Sequence, residues 1–375
     1  MQGYFIFLFV AFVLLTLGDI TRKKGFLNLT IRREVENRAI VEGEDAKIVT
    51  IIENNKWLPI SFLHVQEIFP INIPRVSEDA VYNDRDKFLI YSNRYNVLWF
   101  ERIKRTYKVK GLKRGAYLLK DIRLSIGDVF GFSYEGKDLE DYVEVVVYPK
   151  LIDTKNLNFA STNIQGDNIV KRWIFKDPLY IKGIREYSVE DRMKDIHWQS
   201  SLKMGKLMVK DYDYTSEKEI IFIINSQCGD PYWATIDSDV IDNAVKLGVS
   251  LAAKAQKEGF AAGMWSNAHI ISYEGDVKGE IAPSVNSMKG ILELGARIDY
   301  STRTDFYKYL DEKLKDFNQS STYVIITPFL DEVSANILSK LRKSGSLIKV
   351  IDVSAKGNVP SIDGIDKLLY KGERA

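Results

Sequence analysis

The stretch over residues 219–229, EIIFIINSQCG, decides how the second half of the chain folds. After Glu219 it is a continuous apolar run, which is typical of a strand buried on both faces of a parallel sheet. Small and polar residues follow where the strand ends, and open α/β sheets bind their ligands at that edge. The stretch therefore predicts the first strand of a parallel sheet, with a loop at its carboxyl end.

Strands and helices alternate downstream of this run. The apolar residues of 239–259 recur at helical spacing after Ser238, a good N-cap residue. Further strands are predicted at 261–265 and 269–273 as a hairpin, at 322–327 and at 347–353, and further helices near 286–297, 305–317, 332–343 and 365–370. This alternation predicts a mostly parallel, doubly wound α/β domain over residues 216–375.

Residues 26–150 have a different pattern, without helical periodicity. Short runs rich in Val, Ile and aromatic residues are separated by turn-like clusters and lie at 46–52, 60–64, 97–100, 107–109 and 143–148. Short strands at this spacing predict an immunoglobulin-like β-sandwich. The region ends at Pro149, because proline cannot continue a central strand.

The first eighteen residues contain no Asp, Glu, Lys, Arg or His. At about 1.5 Å per residue they cover roughly 27 Å, close to the bilayer core of about 30 Å. A signal peptide is the alternative, but no basic n-region or small-x-small cleavage site is visible. We therefore predict a transmembrane anchor over residues 1–20. Arg22, Lys23 and Lys24 follow it, so the positive-inside rule predicts a single-pass protein of the cell membrane with its body in the cytoplasm.

The amino-acid composition limits the classes of protein to which this chain can belong. The 375 residues are 45% hydrophobic and 28% charged, which is typical of folded domains. Lys plus Arg number 53 against 51 Asp plus Glu, so the net charge of +2 argues against nucleic acid as a partner. The single cysteine, Cys228, excludes an intramolecular disulfide and fits a reducing compartment.

Between the two predicted domains, residues 151–215 form a connecting segment that includes the distinctive stretch 183–213, here called the signature segment. Ser188 and Asp191 match a capping box, which predicts a helix start at Val189. One interpretation is a solvated, charge-rich helix. The other is an interdomain clasp, in which the charged residues Arg185, Asp191, Arg192 and Asp195 pair and Trp198 is a buried anchor. The clasp predicts that Trp198→Ala costs about 3–5 kcal/mol.

The signature segment resembles that of the bacterial and archaeal family called domain of unknown function 58, whose pattern is roughly R-x-Y-x-x-G-D-x-x-R-x-I-D-W. The matching residues are Arg185, Tyr187, Asp191, Ile196 and Trp198, followed by SSLK at 200–203 and LMV at 207–209. Upstream, 113–117, 127–131 and 147–149 resemble the β-region of that family. Three positions depart from the pattern: Glu190 replaces a glycine, Lys194 an arginine and His197 an acidic residue.

The resemblance implies that the α/β domain is like a von Willebrand factor A domain, which binds a divalent metal through Asp-x-Ser-x-Ser and a distant Thr and Asp. In this chain Asn225 stands in the Asp place and is followed by Ser226, and Gln227 and Gly229 stand in the two Ser places. Thr327 stands where the distal Asp is usual. Hard cations need charged oxygen ligands. We therefore predict a degenerate loop with no metal, and no cofactor.

Other catalytic signals are weak. Cys228 would need a nearby base, and His64, His197 and His269 are scattered over different predicted elements. The stretch 131–138, GFSYEGKD, mimics a phosphate-binding loop, but an Asp replaces the final Ser/Thr, no helix follows, and a hairpin is predicted instead. No G-x-G-x-x-G occurs. We therefore expect no enzymatic activity.

Three hypotheses of function remain. The first is a non-enzymatic, membrane-tethered adaptor whose strand-end face meets a protein partner through Asn225, Ser226, Thr327 and Asp331. The family resemblance implies that this partner is a MoxR-type AAA+ ATPase, acting in assembly or remodelling of a protein complex. The alternative is an outward-facing cell-envelope adhesion or ligand-binding protein. The third, an enzyme, lacks a catalytic constellation.

Overall fold

The computed structural model of the chain describes residues 9, 16, 20, 23–83, 88–127, 134–153, 157–159, 181–188, 191, 193–212, 219–273, 277–354, 357 and 359–373. The chain divides into two compact units. The first comprises Met1–Lys150 and Ile271–Asp276, and the second comprises Leu151–Ile270 and Val277–Ala375. Residues 151–215, the connecting segment of the sequence analysis, thus fall in the second unit.

The first unit is built from strands. They are β1 Leu29–Val35, β2 Ala39–Val41, β3 Asp45–Asn54, β4 Ile60–Pro70, β5 Val81–Asn83, β6 Phe88–Val97, β7 Arg102–Lys110, β8 Gly115–Gly127 and β9 Tyr134–Tyr148. One sheet has the order β1-β3-β7, and the other has the order β2-β9-β8-β4-β6-β5. The described part of the stretch 131–138 lies at the start of β9, paired with β8.

Side chains from both sheets of the first unit pack in the same hydrophobic core, which confirms the predicted β-sandwich. Ile48 of β3 and Val109 of β7 lie in one cluster with Phe69 of β4 and Val145 of β9. Inward apolar side chains alternate with outward polar ones, as expected for sheets with one solvated face. The predicted strand at 97–100 is wrong: β6 ends at Val97, and the next three residues turn toward β7.

A buried ion pair lies inside the sandwich. Arg75 Nη2 donates to Glu67 Oε2, and neither side chain is exposed. Glu67 Oε1 also accepts hydrogen bonds from Thr50 Oγ1 at 3.0 Å and from Tyr107 OH at 2.9 Å. Burial and the Glu67 charge raise the pKa of Tyr107 above its usual range. The guanidinium lies 4.8, 4.7 and 3.7 Å from the ring centroids of Phe69, Tyr91 and Tyr107.

The second unit mixes strands and helices. Its strands are β10 Leu157–Phe159, β11 Ile181–Glu186, β12 Met208–Tyr212, β13 Glu219–Ile224, β14 Ala261–Ser266, β15 Ala268–Ile270, β16 Glu280–Ser284, β17 Ile298–Thr302, β18 Thr322–Thr327, β19 Leu347–Asp352 and β20 Asp366–Glu373. Its helices are α1 Trp198–Met204, α2 Ser238–Lys257, α3 Met288–Arg297, α4 Phe306–Glu312 and α5 Glu332–Lys343, with 3-10 turns at Met193–Asp195 and Leu314–Asp316.

The main sheet of this unit has the order β10-β20-β19-β18-β13-β14-β16. Strand β13 pairs in parallel with both β14 and β18, and β18, β19 and β20 continue in parallel. The edge strands β16 and β10 are antiparallel. The direction of winding therefore reverses between β13 and β18, which makes this a doubly wound sheet with its switch point at β13.

Helices cover both faces of the main sheet. Phe222 of β13 packs with Val245 of α2 in one core, whereas Ile223 packs with Leu310 of α4 and Leu338 of α5 in the other. Because successive side chains of a strand point to opposite faces, the run EIIFII must be apolar on both. The sequence prediction for this strand is confirmed.

Two elements of the second unit differ from the sequence prediction. The predicted helix at 365–370 is strand β20, which extends the sheet beside β19 and buries Leu368 and Tyr370 on one face. Strands β14 and β15 do not form the predicted hairpin, since β14 pairs with β13 and β16 while β15 pairs with β17. In both cases contacts with distant strands override the local pattern.

The predicted membrane anchor is not supported. Among the residues that the structure describes, no helix is both long enough and apolar enough to cross a bilayer. The 20-residue helix α2 has the length, but it carries charged residues such as Asp242 and Lys246. The prediction of a single-pass anchor, and with it the localisation, is therefore corrected. Most of the stretch 1–20 lies outside the described residues.

Candidate functional site

The carboxyl ends of the central strands meet at one edge of the sheet. The loop after β13 begins at Asn225, the loop after β14 at Asn267, and β18 ends at Thr327. Because parallel strands end at the same edge, their terminal side chains come together there. All three of these side chains are fully buried.

Asn225 uses every hydrogen-bonding position of its side chain. Its Nδ2 donates to Thr327 Oγ1 at 2.9 Å and to the carbonyl oxygen of Phe329 at 3.0 Å. Its Oδ1 accepts from the backbone amide of Gln227 at 3.0 Å and from Asn267 Nδ2 at 2.9 Å. A carboxamide offers two donors and one oxygen with two lone pairs, so nothing is left over for a ligand.

The neighbouring side chains extend the same network. Asn267 Oδ1 accepts from the backbone amide of Ser226 at 2.9 Å, and the Ser226 hydroxyl lies 3.0 Å from Thr302 Oγ1. Gln227 Oε1 accepts the amide of Phe306, the first residue of α4, at 2.8 Å, and its Nε2 donates to the carbonyl of Gly229. The network therefore ties the strand-end loop to α4 and β17.

These positions correct the predicted partner-facing rim. Asn225, Ser226 and Thr327 are almost completely buried, so they cannot contact a partner. Asp331 is half-buried and caps α5, where its Oδ1 accepts the amide of Ser334 at 3.3 Å. Large apolar side chains are exposed on this edge, namely Trp233 and Ile236 on the loop after β13 and Val333 near the start of α5. Charged side chains such as Asp230 and Glu332 are exposed beside them.

Sequence reasoning missed Asn267 and Thr302, which complete the network. Asn267 directly follows the apolar strand β14, in the same way that Asn225 follows β13. An asparagine directly after a buried parallel strand was therefore the sequence pattern that could have indicated Asn267 as a site residue. Thr302 carried no such signal, because β17 lies outside the main sheet and only the three-dimensional structure brings it to the loop.

The absence of a metal from this loop stays a prediction. Every described oxygen of Asn225, Ser226 and Gln227 that faces the network already has a protein partner, and none of these side chains is charged. A hard divalent cation would have to displace those bonds without a carboxylate in return. Isothermal titration calorimetry with Mg²⁺ and Mn²⁺ should therefore show no binding tighter than about millimolar. A tighter 1:1 isotherm would contradict this prediction.

The titratable groups near this edge serve structural roles. Asp352, at the end of β19, lies 3.0 Å from Lys367 Nζ and also accepts the amide and hydroxyl of Ser354. Burial raises the pKa of the Cys228 thiol, which disfavours the nucleophilic thiolate. In the described ranges, no group of three or more His, Cys, Asp or Glu side chains is arranged to hold a metal ion.

Within the second unit, the described part of the signature segment comprises strands β11 and β12, helix α1 and a 3-10 turn. Strands β11 and β12 form an antiparallel hairpin. Arg185 Nη1 donates to Asp191 Oδ2 at 2.7 Å, and the same oxygen accepts the amide of Ser188 at 2.8 Å. Tyr187 donates its backbone amide to the carbonyl of Leu207. The Arg185–Asp191 pair is therefore local, and its interdomain role stays a prediction.

The other signature residues that the structure describes lie in α1 or just before it. Arg192 and Val189, the predicted helix start, lie outside the described residues, and Asp195 closes a 3-10 turn. Helix α1 begins instead at Trp198, where His197 Nδ1 accepts the amide of Ser200 at 3.2 Å. It ends at Gly205, whose φ of 65° is the left-handed conformation expected of a glycine cap.

Trp198 is 62% exposed, so the predicted buried anchor is wrong. Trp198→Ala should therefore change the free energy of unfolding by no more than about 0.5 kcal/mol, as for other surface positions. The matched control is Trp265→Ala, because Trp265 is buried in β14 against the rings of Phe317 and Tyr323. That change should cost about 3–5 kcal/mol. Urea unfolding of the full chain compares the two, and equal losses would contradict this assignment.

The end of the β-sandwich carries a separate exposed aromatic group. Trp57 and Phe100 pack edge to face, with ring centroids 5.2 Å apart, and Trp99 is exposed beside them in sequence. The buried side chain of Asn54 ties the two turns together by donating to the carbonyls of Leu58 at 3.0 Å and Leu98 at 2.8 Å. These rings are therefore held in place although they are exposed.

Comparison with known proteins finds the same family that the signature segment indicates. Residues 183–359 match the family model described as "Protein of unknown function DUF58". The match begins at the signature segment and ends shortly after β19, so the strands β10 and β20 of the main sheet lie outside it. The strands of the β-sandwich, β1 to β9, lie outside it. The resemblance noted in the sequence is thus confirmed for this part of the chain.

A curated relative and several solved structures are similar to this chain. The "Uncharacterized protein YeaD" of Bacillus subtilis (strain 168) is 20% identical over 272 residues, which cover 71% of this chain and 63% of the relative. The chain therefore spans less than two thirds of that relative's length. A CARDB domain from Pyrococcus furiosus is 11% identical and covers 32% of this chain and 94% of its own, with a TM-score of 0.23. A non-cellulosomal cohesin from Archaeoglobus fulgidus is 12% identical, covers 32% and 91%, and has a TM-score of 0.21.

Proposed function

We propose that this chain is a non-enzymatic interaction module that works as an adaptor. The observation that carries the proposal is the closed network at the strand-end edge. Doubly wound sheets usually bind their ligands at this edge, beyond the carboxyl ends of the strands. Here Asn225, Asn267 and Thr327 are buried and bonded to one another. Large apolar side chains, by contrast, are exposed on the surface, which is typical of a protein that binds other proteins.

The sheet topology supports a von Willebrand factor A-like domain as the framework of this module. If β13, β14, β16, β18, β19 and β20 are numbered 1 to 6 along the chain, their order across the sheet is 3-2-1-4-5-6. The third of these strands, β16, lies at the edge and is antiparallel to β14. In this proposal the loop at Asn225 occupies the place of the metal-binding loop. It would replace the cation with amide and hydroxyl hydrogen bonds, so that the loop is rigid without a metal.

The proposed partner is a MoxR-type AAA+ ATPase, and the proposed role is the assembly or remodelling of another protein complex. The partner follows from the family resemblance, which the match over residues 183–359 supports at the level of family. Because one fold can carry many functions, a direct binding test identifies the partner.

That test is a binding measurement with purified components. The full chain is immobilised, and the MoxR-type ATPase from the same organism is titrated with ATP, with ADP and without nucleotide. We expect saturable binding that changes at least about tenfold between nucleotide states, a difference of about 1.4 kcal/mol. No binding at ATPase concentrations up to about 100 μM, in any nucleotide state, would sink the proposal.

A second candidate function is ligand binding or adhesion through the β-sandwich. The exposed rings of Trp57 and Phe100, held in place by buried Asn54, favour it. Rigid aromatic side chains lose little conformational entropy on binding. A thermal-shift screen of glycans and peptides, repeated with Trp57→Ala, tests this candidate. Ligands that stabilise both proteins equally would contradict it.

A further inference from the structure

Between Met193 and Leu207 the signature segment presents five large apolar side chains to solvent. We call this set the signature surface: Met193, Trp198, Leu202, Met204 and Leu207. Leu202 is 84% exposed, and Trp198 is four residues before it on the same helix. Residues four apart lie on one face of a helix, so these two form a continuous apolar ridge. Single exposed apolar residues are common, but a group of this size marks an interaction site.

The short helix that carries this ridge is fixed to the hairpin beneath it. Ser201 Oγ accepts the backbone amide of Met208 at 2.8 Å and donates to the carbonyl of His197 at 3.0 Å. The amide of His197 donates to the carbonyl of Met208, and Ile196 bridges to Val209, with both side chains buried. Helix α1 therefore has a buried side that binds β12. Its exposed side is held in a fixed orientation, which lowers the entropy lost on binding.

The charged residues around the ridge are mostly basic. Lys194 precedes it, Lys203 lies within α1, and Lys206 follows; all three are exposed. Lys206 is paired with Glu186, and Asp195 is only half-exposed. A partner with carboxylates beside its apolar contact would therefore be attracted, whereas a basic partner would be repelled.

We propose that the signature surface binds an acidic amphipathic helix of a protein partner. Trp198 and Leu202 pack into the apolar stripe of that helix, and Lys194 and Lys203 pair with carboxylates along its sides. The proposal rests on the proposed function, because it names the surface with which the adaptor holds its partner. The sequence analysis predicted the partner-binding surface at the strand-end face, whereas this proposal assigns it to the signature segment.

The probe is a synthetic amphipathic helix of roughly 20 residues, with leucines on one face and glutamates on the others. A matched peptide has lysine in place of every glutamate. Both are labelled and titrated with the full chain, with fluorescence anisotropy as the readout. We expect the glutamate peptide to bind with a Kd of about 10–100 μM and the lysine peptide at least about tenfold more weakly. Raising the salt from about 0.05 M to 0.5 M should weaken the glutamate peptide several-fold.

Three variants locate the site. Trp198→Ala and the double variant Lys194→Glu/Lys203→Glu should each weaken the glutamate peptide at least about tenfold, or 1.4 kcal/mol. The double variant should also bind the lysine peptide more tightly than the unaltered chain does, a gain that misfolding cannot produce. Trp233→Ala removes an equally exposed tryptophan from the strand-end loop and should leave the Kd unchanged.

Several results would overturn the proposal. These are equal binding of the two peptides, no binding at about 1 mM, or a larger loss of affinity for Trp233→Ala than for Trp198→Ala.

The ATPase titration separates this proposal from the proposed function. If the ATPase binds and the signature variants leave both titrations unchanged, the surface is wrong and the adaptor function stands. If the peptide binds at Trp198 but the ATPase does not bind, the surface stands and the ATPase is the wrong partner.

Discussion

Replacing Arg75 with methionine should destabilise the β-sandwich unit by about 3–5 kcal/mol. Both Arg75 and Glu67 are completely buried, and they pair directly. Without Arg75, the carboxylate of Glu67 would remain in the core with only the hydroxyl groups of Thr50 and Tyr107 as partners. A charge left alone in an apolar interior costs several kcal/mol because it loses its hydration without compensation. The variant also loses the contacts of the guanidinium with three aromatic rings.

The measurement is urea unfolding of the full chain, combined with hydrogen exchange of peptides from β4 and β7. Hydrogen exchange reports on the β-sandwich even if the two units unfold separately. The matched control is Arg102→Met, because Arg102 pairs with Glu53 at the surface and should cost less than about 1 kcal/mol. The double variant Glu67→Leu/Arg75→Met removes both charges and should recover at least about 1 kcal/mol of the loss. A loss below about 1 kcal/mol for Arg75→Met would show that the pair does not hold the sandwich together.

Asn225→Asp should destabilise the second unit by about 3 kcal/mol at pH 7, although the two side chains have nearly the same shape. The Asn225 amide donates to Thr327 Oγ1 and to the carbonyl of Phe329. A carboxylate oxygen in its place would face that carbonyl with no hydrogen to donate. The variant would thus place a carboxylate inside a network whose hydrogen bonds require an amide.

The loss should grow with pH. Burial beside a carbonyl oxygen disfavours the charged form, so the pKa of the introduced carboxyl should be raised in the folded state above about 3.9, its usual value when unfolded. Below that value the group is neutral in both states, and the loss is smallest. As the pH rises further, the unfolded chain releases the proton first, so stability falls until the folded-state pKa is passed.

Asn286→Asp is the control for this prediction. Asn286 is exposed at the turn before α3, so the same chemical change should alter stability by no more than about 0.5 kcal/mol and without this pH dependence. Urea unfolding between about pH 4 and pH 8 compares the two variants. If both lose the same amount at every pH, the network at Asn225 does not have the role assigned to it here. Titration of Asn225→Asp with Mg²⁺ in the same buffers shows whether the acid alone is enough to create a metal site.

The sequence alone determined the type of secondary structure wherever the pattern was strong and local. The run at β13 and the helical spacing of α2 were both predicted, because side-chain periodicity reports which faces of an element are buried. The signature segment also indicated the family from its residues alone.

Only the tertiary structure decided what the site residues do. Asn225 and Thr327 are 102 positions apart, and the strand order β14-β13-β18 places them side by side. The same long-range pairing makes β20 a strand, although its sequence favours a helix. Trp198 looked like a buried anchor because tryptophan often is one, yet α1 buries Ser201 against β12 and leaves Trp198 outside. Periodicity shows that a face is buried, but strand order and packing determine which partner buries it and which residues stay exposed.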